Sequence, residues 1–401
     1  MIPTVEQDPL EPDFVANPFP RYADWRAKGD FVFWAEYGLP VATTHSAVTQ
    51  TLRHPAMGRA RPGAMSLSAN DSLSPFEALE RHSLLELEPP DHTRLRRLAL
   101  KAFTGPLIAM MAPKISQFAD QLIDAFPDGP FDLIEHFSKP LAALTVTEFL
   151  GVDTGSAPQL QDWSTRMVAM YQARRDATVE ADANAAAEDF TRFMANLVET
   201  RRRAPQQDFL SEMVTVQSTG GLSIEELIST AILLLNAGHE ATVHAVGNAV
   251  PLLIDFENRA DALSIDGITG TVEECLRYKP PLHLFKRYVY KSTNVDDVTF
   301  DENDEVACLL ASASHDDAVW PDGEVFDPFR PLVRHLAFGS GLHSCVGATL
   351  ARLEMKIGLP LLFSRCGDLQ MTEPPRIANK YHFHGYEKLM VKTTKAGPAS
   401  I

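Results

Sequence analysis

The chain has 401 residues, 45% of them hydrophobic and 22% charged, ordinary proportions for a globular protein with a large core. Its 53 acidic and 36 basic residues give a formal charge of −17. That field repels phosphate backbones and anionic lipid, which argues against nucleic acid or a membrane surface as the main partner. At this length about three-quarters of the unfolded chain's surface is buried on folding, so no metal or disulfide staple is required.

Met1 to Phe14 carries Glu6, Asp8, Glu11 and Asp13 and no apolar run, unlike a signal peptide, and residues 1–16 are expected to form a flexible arm. Helix-type apolar spacing then recurs over Arg21 to Lys28, Asp91 to Phe103, Lys114 to Phe126, Ser138 to Leu150, Thr178 to Arg203 and Ser223 to about Asp255. In the last of these, Ser223-Ile-Glu-Glu226 is a capping box, and Pro251 is placed to kink or end the helix a turn early. Its apolar stretch Ile228 to Ile254 is interrupted by Asn236, His239, Glu240 and His244, which marks a buried helix with a polar centre and not a membrane span. From Pro280 to Leu310 β-branched and aromatic runs alternate with turn residues and predict short strands. Phe326 to Cys345 is long and irregular, and a helix follows from Val346. A loop of that length inside a compact domain is usually functional. The fold class expected is a single, mainly α domain with a small β portion over 1–401. The four cysteines, Cys275, Cys308, Cys345 and Cys366, form no CxxC pair, which argues against a disulfide framework or zinc site and fits a reducing cytoplasm.

The sharpest local signal is His335-Leu-Ala-Phe-Gly-Ser-Gly-Leu-His-Ser-Cys-Val-Gly347, a glycine-rich loop that delivers Cys345 to the first residues of a helix. Free backbone N–H groups and the helix dipole stabilise a thiolate there. Alone, the loop is also compatible with a buried structural cysteine beside a glycine turn. Phe338, Gly341, Cys345 and Gly347 match F-x-x-G-x-x-x-C-x-G, and the chain resembles the cytochrome P-450 family of haem-thiolate monooxygenases in its soluble bacterial form. Three further motifs follow that family's order. Glu274-Cys-Leu-Arg277 matches its E-x-x-R helix, Ala237-Gly-His-Glu-Ala-Thr242 resembles its oxygen-activating segment, and Glu88-Pro-Pro-Asp-His92-Thr-Arg-Leu-Arg96 matches the helix that holds a haem propionate. The resemblance spans about Asn17 to Val391.

The resemblance implies a triangular domain with a long central helix and haem b as cofactor. Cys345 would be the iron ligand, and His92, Arg96, Arg287 and His343 would form the propionate cradle. Glu240, Ala241 and Thr242 occupy the catalytic segment, and Leu233, Asn236, Ala237, Leu284 and Phe285 the substrate side, with His283 as a second polar anchor. The loop Met65 to Leu87, the region Ser156 to Thr178 and Tyr381 to His384 are further contact regions. Glu274 and Arg277 would complete a structural network with Arg330, and the other three cysteines would be core residues. The sequence departs from the family where A-G-x-[DE]-T has its alcohol, because Ala241 stands there and Thr242 lies about 100° further round the helix. Water, a substrate hydroxyl or His239 would have to complete the proton relay. The activity implied is insertion of one atom of dioxygen into a small or medium hydrophobic substrate. Electrons would come from a separate ferredoxin and ferredoxin reductase, docked on a basic patch of Arg94, Arg97, Lys101 and Arg352. A peroxide-driven or isomerising enzyme and a non-catalytic haem sensor are the alternatives.

Overall fold

A computed structural model describes residues 2–62, 73–103, 105–171 and 176–394. The central helix, Ile224–Ile254, starts at the capping box: Ser223 Oγ accepts from Glu226 N at 3.1 Å, and Ser223 N donates to Glu226 Oε2 at 2.8 Å. Thirty-one residues make it about 46 Å long. It runs through Pro251 without ending there, since the missing N–H falls in its last turn. Helices Lys139–Leu150, Ala157–Val168, Ala177–Arg203, Ile268–Tyr278 and Ala348–Arg365 pack around it. Gly238 permits a close approach of Lys139–Leu150, because a Cβ there would lie 3.2 Å from Val146 Cγ2. Helix Pro106–Asp124, about two turns longer at its start than the apolar spacing indicates, packs on Ala348–Arg365. No single helix among the described residues is long and apolar enough to cross a membrane.

The β portion is a six-stranded sheet in the order Thr4–Val5, Phe31–Trp34, Leu39–Ala42, Glu305–Leu309, Leu284–Val289, Met57–Gly58, with three small sheets besides. Phe31–Trp34 and Leu39–Ala42 pair antiparallel, and so do Leu284–Val289 and Glu305–Leu309, whereas Leu39–Ala42 runs parallel to Glu305–Leu309. The expectation of a flexible arm over 1–16 is not met. Thr4–Val5 is the sheet's edge strand, Val5, Phe14 and Val15 are buried, and Trp34 Nε1 donates to the Gln7 carbonyl at 2.7 Å. The acidic composition of the segment concealed these apolar anchors.

One core residue has a measurable pH signature. Glu354, on Ala348–Arg365, is 2% exposed and its Oε1 has no hydrogen-bond partner among the described residues. Burial pushes its carboxyl up to about 8, and the nearby Thr145 offsets this only in part. The folded chain therefore keeps it protonated at neutral pH while the unfolded chain ionises it, a cost that grows as pH rises from about 4.5 towards 8. Linkage puts that cost at about 3 kcal/mol at pH 7, and burying an amide takes back about 1. Glu354→Gln is expected to stabilise the protein by about 2 kcal/mol at pH 7 and not at pH 4.5, read from denaturant melts at both pH values.

Candidate active site

The cysteine loop is shaped by its own backbone. Cys345 N donates to the Phe338 carbonyl at 2.9 Å and Gly339 N to Leu336 at 2.8 Å. Gly341, at φ +75°, has no room for a side chain, since a Cβ would sit 2.7 Å from the Leu52 carbonyl. Cys345 precedes helix Ala348–Arg365 and is solvent-exposed, whereas Cys275, Cys308 and Cys366 are buried. Its sulfur sits in a recess ringed by protein yet open on one side. The surrounding protein pushes the thiol up, opposed by the N–H groups of Gly347 and Ala348 and the charges of Arg96 and Arg352. Burial pushes the Cys308 thiol up to about 12, and the Cys275 thiol rises in the same way, so both behave as inert core groups.

A cluster of cations lies beside this loop. His92 and Arg96, four apart on helix Asp91–Ala102, share a face: the His92 ring is 4.2 Å from that of His343, and Arg96 Nη2 donates to Ser344 Oγ at 3.0 Å. Burial, with the neighbouring His343 and Arg96, holds His92 near 4 and neutral, and its Nδ1 has no partner. Arg287 is 1% exposed, and among the described residues its guanidinium bonds only to the Lys286 carbonyl, at 3.0 Å. Arg59 stacks 4.3 Å from the Phe285 ring with Arg287 on the same ring at 5.3 Å; its Nη2 donates to Glu86 Oε1 at 2.7 Å, and its buried Nε has no partner among the described residues. Glu88 forms no ion pair with Arg96 or Arg287 among the described residues, although its charge acts on Arg287. Its Oε1 takes His343 Nε2 and Tyr290 OH, each at 3.1 Å, and the Arg59 amide. Burial works against Glu88's ionised form, but His343 and the Arg59 and Ala60 amides prevail and hold it near 2. Arg96 and Arg287 form no ion pair among the described residues, and guanidiniums held away from water without a carboxylate are costly, so this cradle fits a group that brings two carboxylates of its own. Haem is such a group.

Behind the loop, Arg277 Nε and Nη2 donate to Glu274 Oε2 and Oε1 at 2.7 and 2.8 Å, and Arg330 Nε reaches Glu274 Oε1 at 3.4 Å. Arg277 also donates to the carbonyls of Ser314 and Gly323, each at 2.8 Å. The network bolts the segment before the cysteine loop to helix Ile268–Tyr278.

On the central helix, Leu233, Ala237 and Ala241 recur every fourth residue, and they are the less buried stripe of an element otherwise enclosed on most sides. Ala237 is exposed in mid-helix, so a recess opens there. Thr242 is 6% exposed and lies a step of about 100° away. His239 is 3% exposed and about 200° from Ala241, so it faces away from that stripe, with neither ring nitrogen bonded. Asn236 turns its Nδ2 towards Met167 Sδ at 3.8 Å and leaves Oδ1 unpartnered. Glu240 Oε1 lies 3.4 Å from Lys380 Nζ and 3.7 Å from His244 Nε2. Burial would raise its carboxyl, yet His244, Lys380 and His239 hold it near 2.

Other expectations are corrected. Leu284 is 2% exposed and belongs to the core cluster with Trp25, Trp34 and Leu309, because strand alternation turns it opposite to Phe285. His283 is fully buried, bonded to Tyr22 OH at 3.1 Å and stacked on His384 at 4.4 Å, so it is part of an aromatic core and no substrate anchor. Tyr381 shares that core through a 2.7 Å bond to Tyr22. Arg94 is taken by Glu226 and Asp91 at 2.5 and 3.0 Å, and Arg352 by Glu273 at 2.5 Å. Of the four residues of the basic patch, Arg97 and Lys101 are exposed on the surface. Residues 65–72 and 172–175, within the two proposed contact regions, lie outside the described residues.

The family model for cytochrome P450 matches residues 267–393. Cytochrome P450 monooxygenase PikC of Streptomyces venezuelae is 32% identical over 93% of this chain and 89% of its own length. The chain belongs to the cytochrome P450 family. Vitamin D(3) 25-hydroxylase of Pseudonocardia autotrophica is 31% identical, over 92% of this P450 and 91% of the relative. The structure of P450BioI in complex with an acyl carrier protein ligated to hexadec-9Z-enoic acid superposes with a TM-score of 0.88 at 29% identity, covering 95% of this chain and 100% of that one. This P450 is thus an oxidoreductase of the bacterial monooxygenase type and binds haem b through a cysteine thiolate. The haem sensor falls away as an alternative.

Proposed function

We propose that this P450 acts in the cytoplasm, inserts one oxygen atom of dioxygen into a small or medium hydrophobic substrate, and takes its electrons from a separate ferredoxin and its reductase. The observation that carries the reading is Cys345, the one exposed cysteine, set at a helix start in a glycine loop beside Arg96 and Arg287, which form no ion pair among the described residues. Cys345 is the thiolate ligand, and His92, Arg96, Arg287 and His343 hold the propionates, with Arg59 as an addition. When bound, the haem supplies the redox centre at which dioxygen is reduced. Leu233, Ala237 and Ala241 form an apolar wall on the distal side, with Phe285 at its margin and Asn236 Oδ1 as a spare acceptor. Glu240 takes up and passes protons, while Ala241 offers no hydroxyl and Thr242 lies a step off that face, so water or a substrate hydroxyl completes the path. The relative named for vitamin D(3) and the solved relative carrying a hexadecenoic acid support a hydrophobic substrate class.

The donor docks on the face bearing Arg97 and Lys101, and an acidic ferredoxin suits it. Turnover is expected with a ferredoxin and reductase pair, and Arg97→Glu should slow first-electron reduction in stopped flow about tenfold at low salt without changing substrate-induced spectral shifts. Equal turnover with peroxide alone would transfer the reading to the peroxide-driven alternative. Reduction indifferent to salt and to charge reversal would move the docking face.

A further inference from the structure

The acid of the central helix is held from outside the helix. His244, one turn on from Glu240, shares its face, but Lys380 belongs to the turn between strands Arg376–Ile377 and Tyr386–Lys388. That turn's backbone is anchored. Ala378 N donates to Gly385 O at 2.9 Å, His384 N to Pro281 O at 2.8 Å, and the His382 carbonyl accepts from His283 N at 3.0 Å, while Leu282 and Phe383 form a β-bridge. The Lys380 side chain remains 39% exposed and the Glu240 side chain is 13% exposed, so the lysine reaches from solvent into the helix. The other groups facing this carboxylate are accounted for. His239 and His244 come from its own helix. Lys139 acts on His239 from helix Lys139–Leu150, and Lys279 and His384 meet the cluster through His384's proximity to His244. Two groups lie at ion-pair distance from Glu240: His244 at 3.7 Å on its own helix, and Lys380 at 3.4 Å, the partner that another element supplies.

We propose that Lys380 is a positioning residue for oxygen activation: it holds Glu240 as a carboxylate and ties it to the turn carrying Tyr381–His384, so that displacement of that turn or of the lysine decides whether the acid takes up a proton. The proposal rests on the reading of Glu240 as the acid of the proton path. Its physical basis is a competition. Burial favours the neutral acid, whereas a charge 3.4 Å away in a partly desolvated setting favours the ion. Lysine suits the task because its ammonium is a point charge on a flexible stem, with two N–H donors left for water when one meets Glu240.

The test uses the haem-loaded enzyme and infrared titration of carboxyl groups, which needs no turnover. Wild type is expected to show no protonated Glu240 band between pH 5 and 8. Lys380→Met should reveal a band, absent from the Lys380→Met/Glu240→Gln double variant, whose midpoint has moved from about 2 towards neutrality. Lys380→Arg should restore the wild-type titration. In turnover, Lys380→Met should add an inflection to the pH profile of kcat and lower product per electron pair several-fold, with haem content and substrate affinity retained. A Lys380→Met titration identical to wild type, with Glu240→Gln impaired, would overturn the role of Lys380 alone. Unaffected turnover in Glu240→Gln would overturn the acid's part in the path, and with it the functional consequence of the ion pair.

Discussion

Cys345→Ser is expected to abolish the red-shifted Soret band of the reduced carbon monoxide complex, the largest spectroscopic change any single substitution in this P450 should cause. Serine keeps the size and the loop's backbone bonds, including the 2.9 Å bond from residue 345 to Phe338, so the glycine loop should persist while the soft, electron-rich ligand is lost. The other three cysteines provide the control. Cys275, Cys308 and Cys366 are enclosed in the core, and burial raises the Cys275 and Cys308 thiols far from ionisation. Their serine variants bury an extra hydroxyl and should lose about 1–3 kcal/mol of stability while keeping the band. Circular dichroism of Cys345→Ser separates loss of ligation from loss of fold. A retained band in a folded Cys345→Ser protein would remove the cysteine from the centre.

What the sequence disclosed and what it hid divide along one physical line. Patterns carried by a single element were legible: the capping box at Ser223, the shared face of His92 and Arg96, and the Glu274–Arg277 pair three residues apart. Each depends on helical period and local chemistry, which a sequence displays directly. Interactions between distant elements were not legible. Nothing in the sequence joins Lys380 to Glu240, 140 positions away, or Glu88 to His343, and nothing announces that Arg59 and Arg287 flank Phe285. The errors have the same origin. Arg94 and Arg352 were read as free cations because their partners, Glu226 and Glu273, lie far along the chain. Leu284 was assigned by position to the pocket, and only the pairing Leu284↔Leu309 fixes which way its strand faces. An arm rich in acids looked unstructured because three buried apolar residues weigh little in a composition count. The haem cradle lies between these cases: its members are legible one by one, but that Arg96 and Arg287 form no ion pair among the described residues emerges only in three dimensions.

The departure at position 241 has the second large effect. Glu240→Gln keeps the side chain's size and deletes its charge, so the Lys380 and His244 contacts lose their counter-charge while the helix stays capped and packed. Turnover should fall by about 10²-fold, the range for loss of a positioned acid–base group, with substrate-induced spectral shifts nearly unchanged. Ala241→Thr restores a hydroxyl on the Leu233–Ala237–Ala241 stripe, the one face of this helix that is not enclosed. Thr242 cannot supply it, being buried and a step of about 100° away, and His239 faces the other side. With a substrate that has no hydroxyl, Ala241→Thr should raise product formed per reducing equivalent. With a substrate that brings its own hydroxyl, the added methyl and oxygen crowd the same space, and coupling should stay level or fall. The measurement is coupling efficiency of wild type, Glu240→Gln and Ala241→Thr with one donor pair and two substrates that differ by a hydroxyl. A gain confined to the hydroxyl-free substrate is the expected signature, because the hydroxyl that this helix lacks then has to come from water or from the variant's threonine. Equal coupling in wild type and Ala241→Thr with both substrates would show that ordered water alone completes the path.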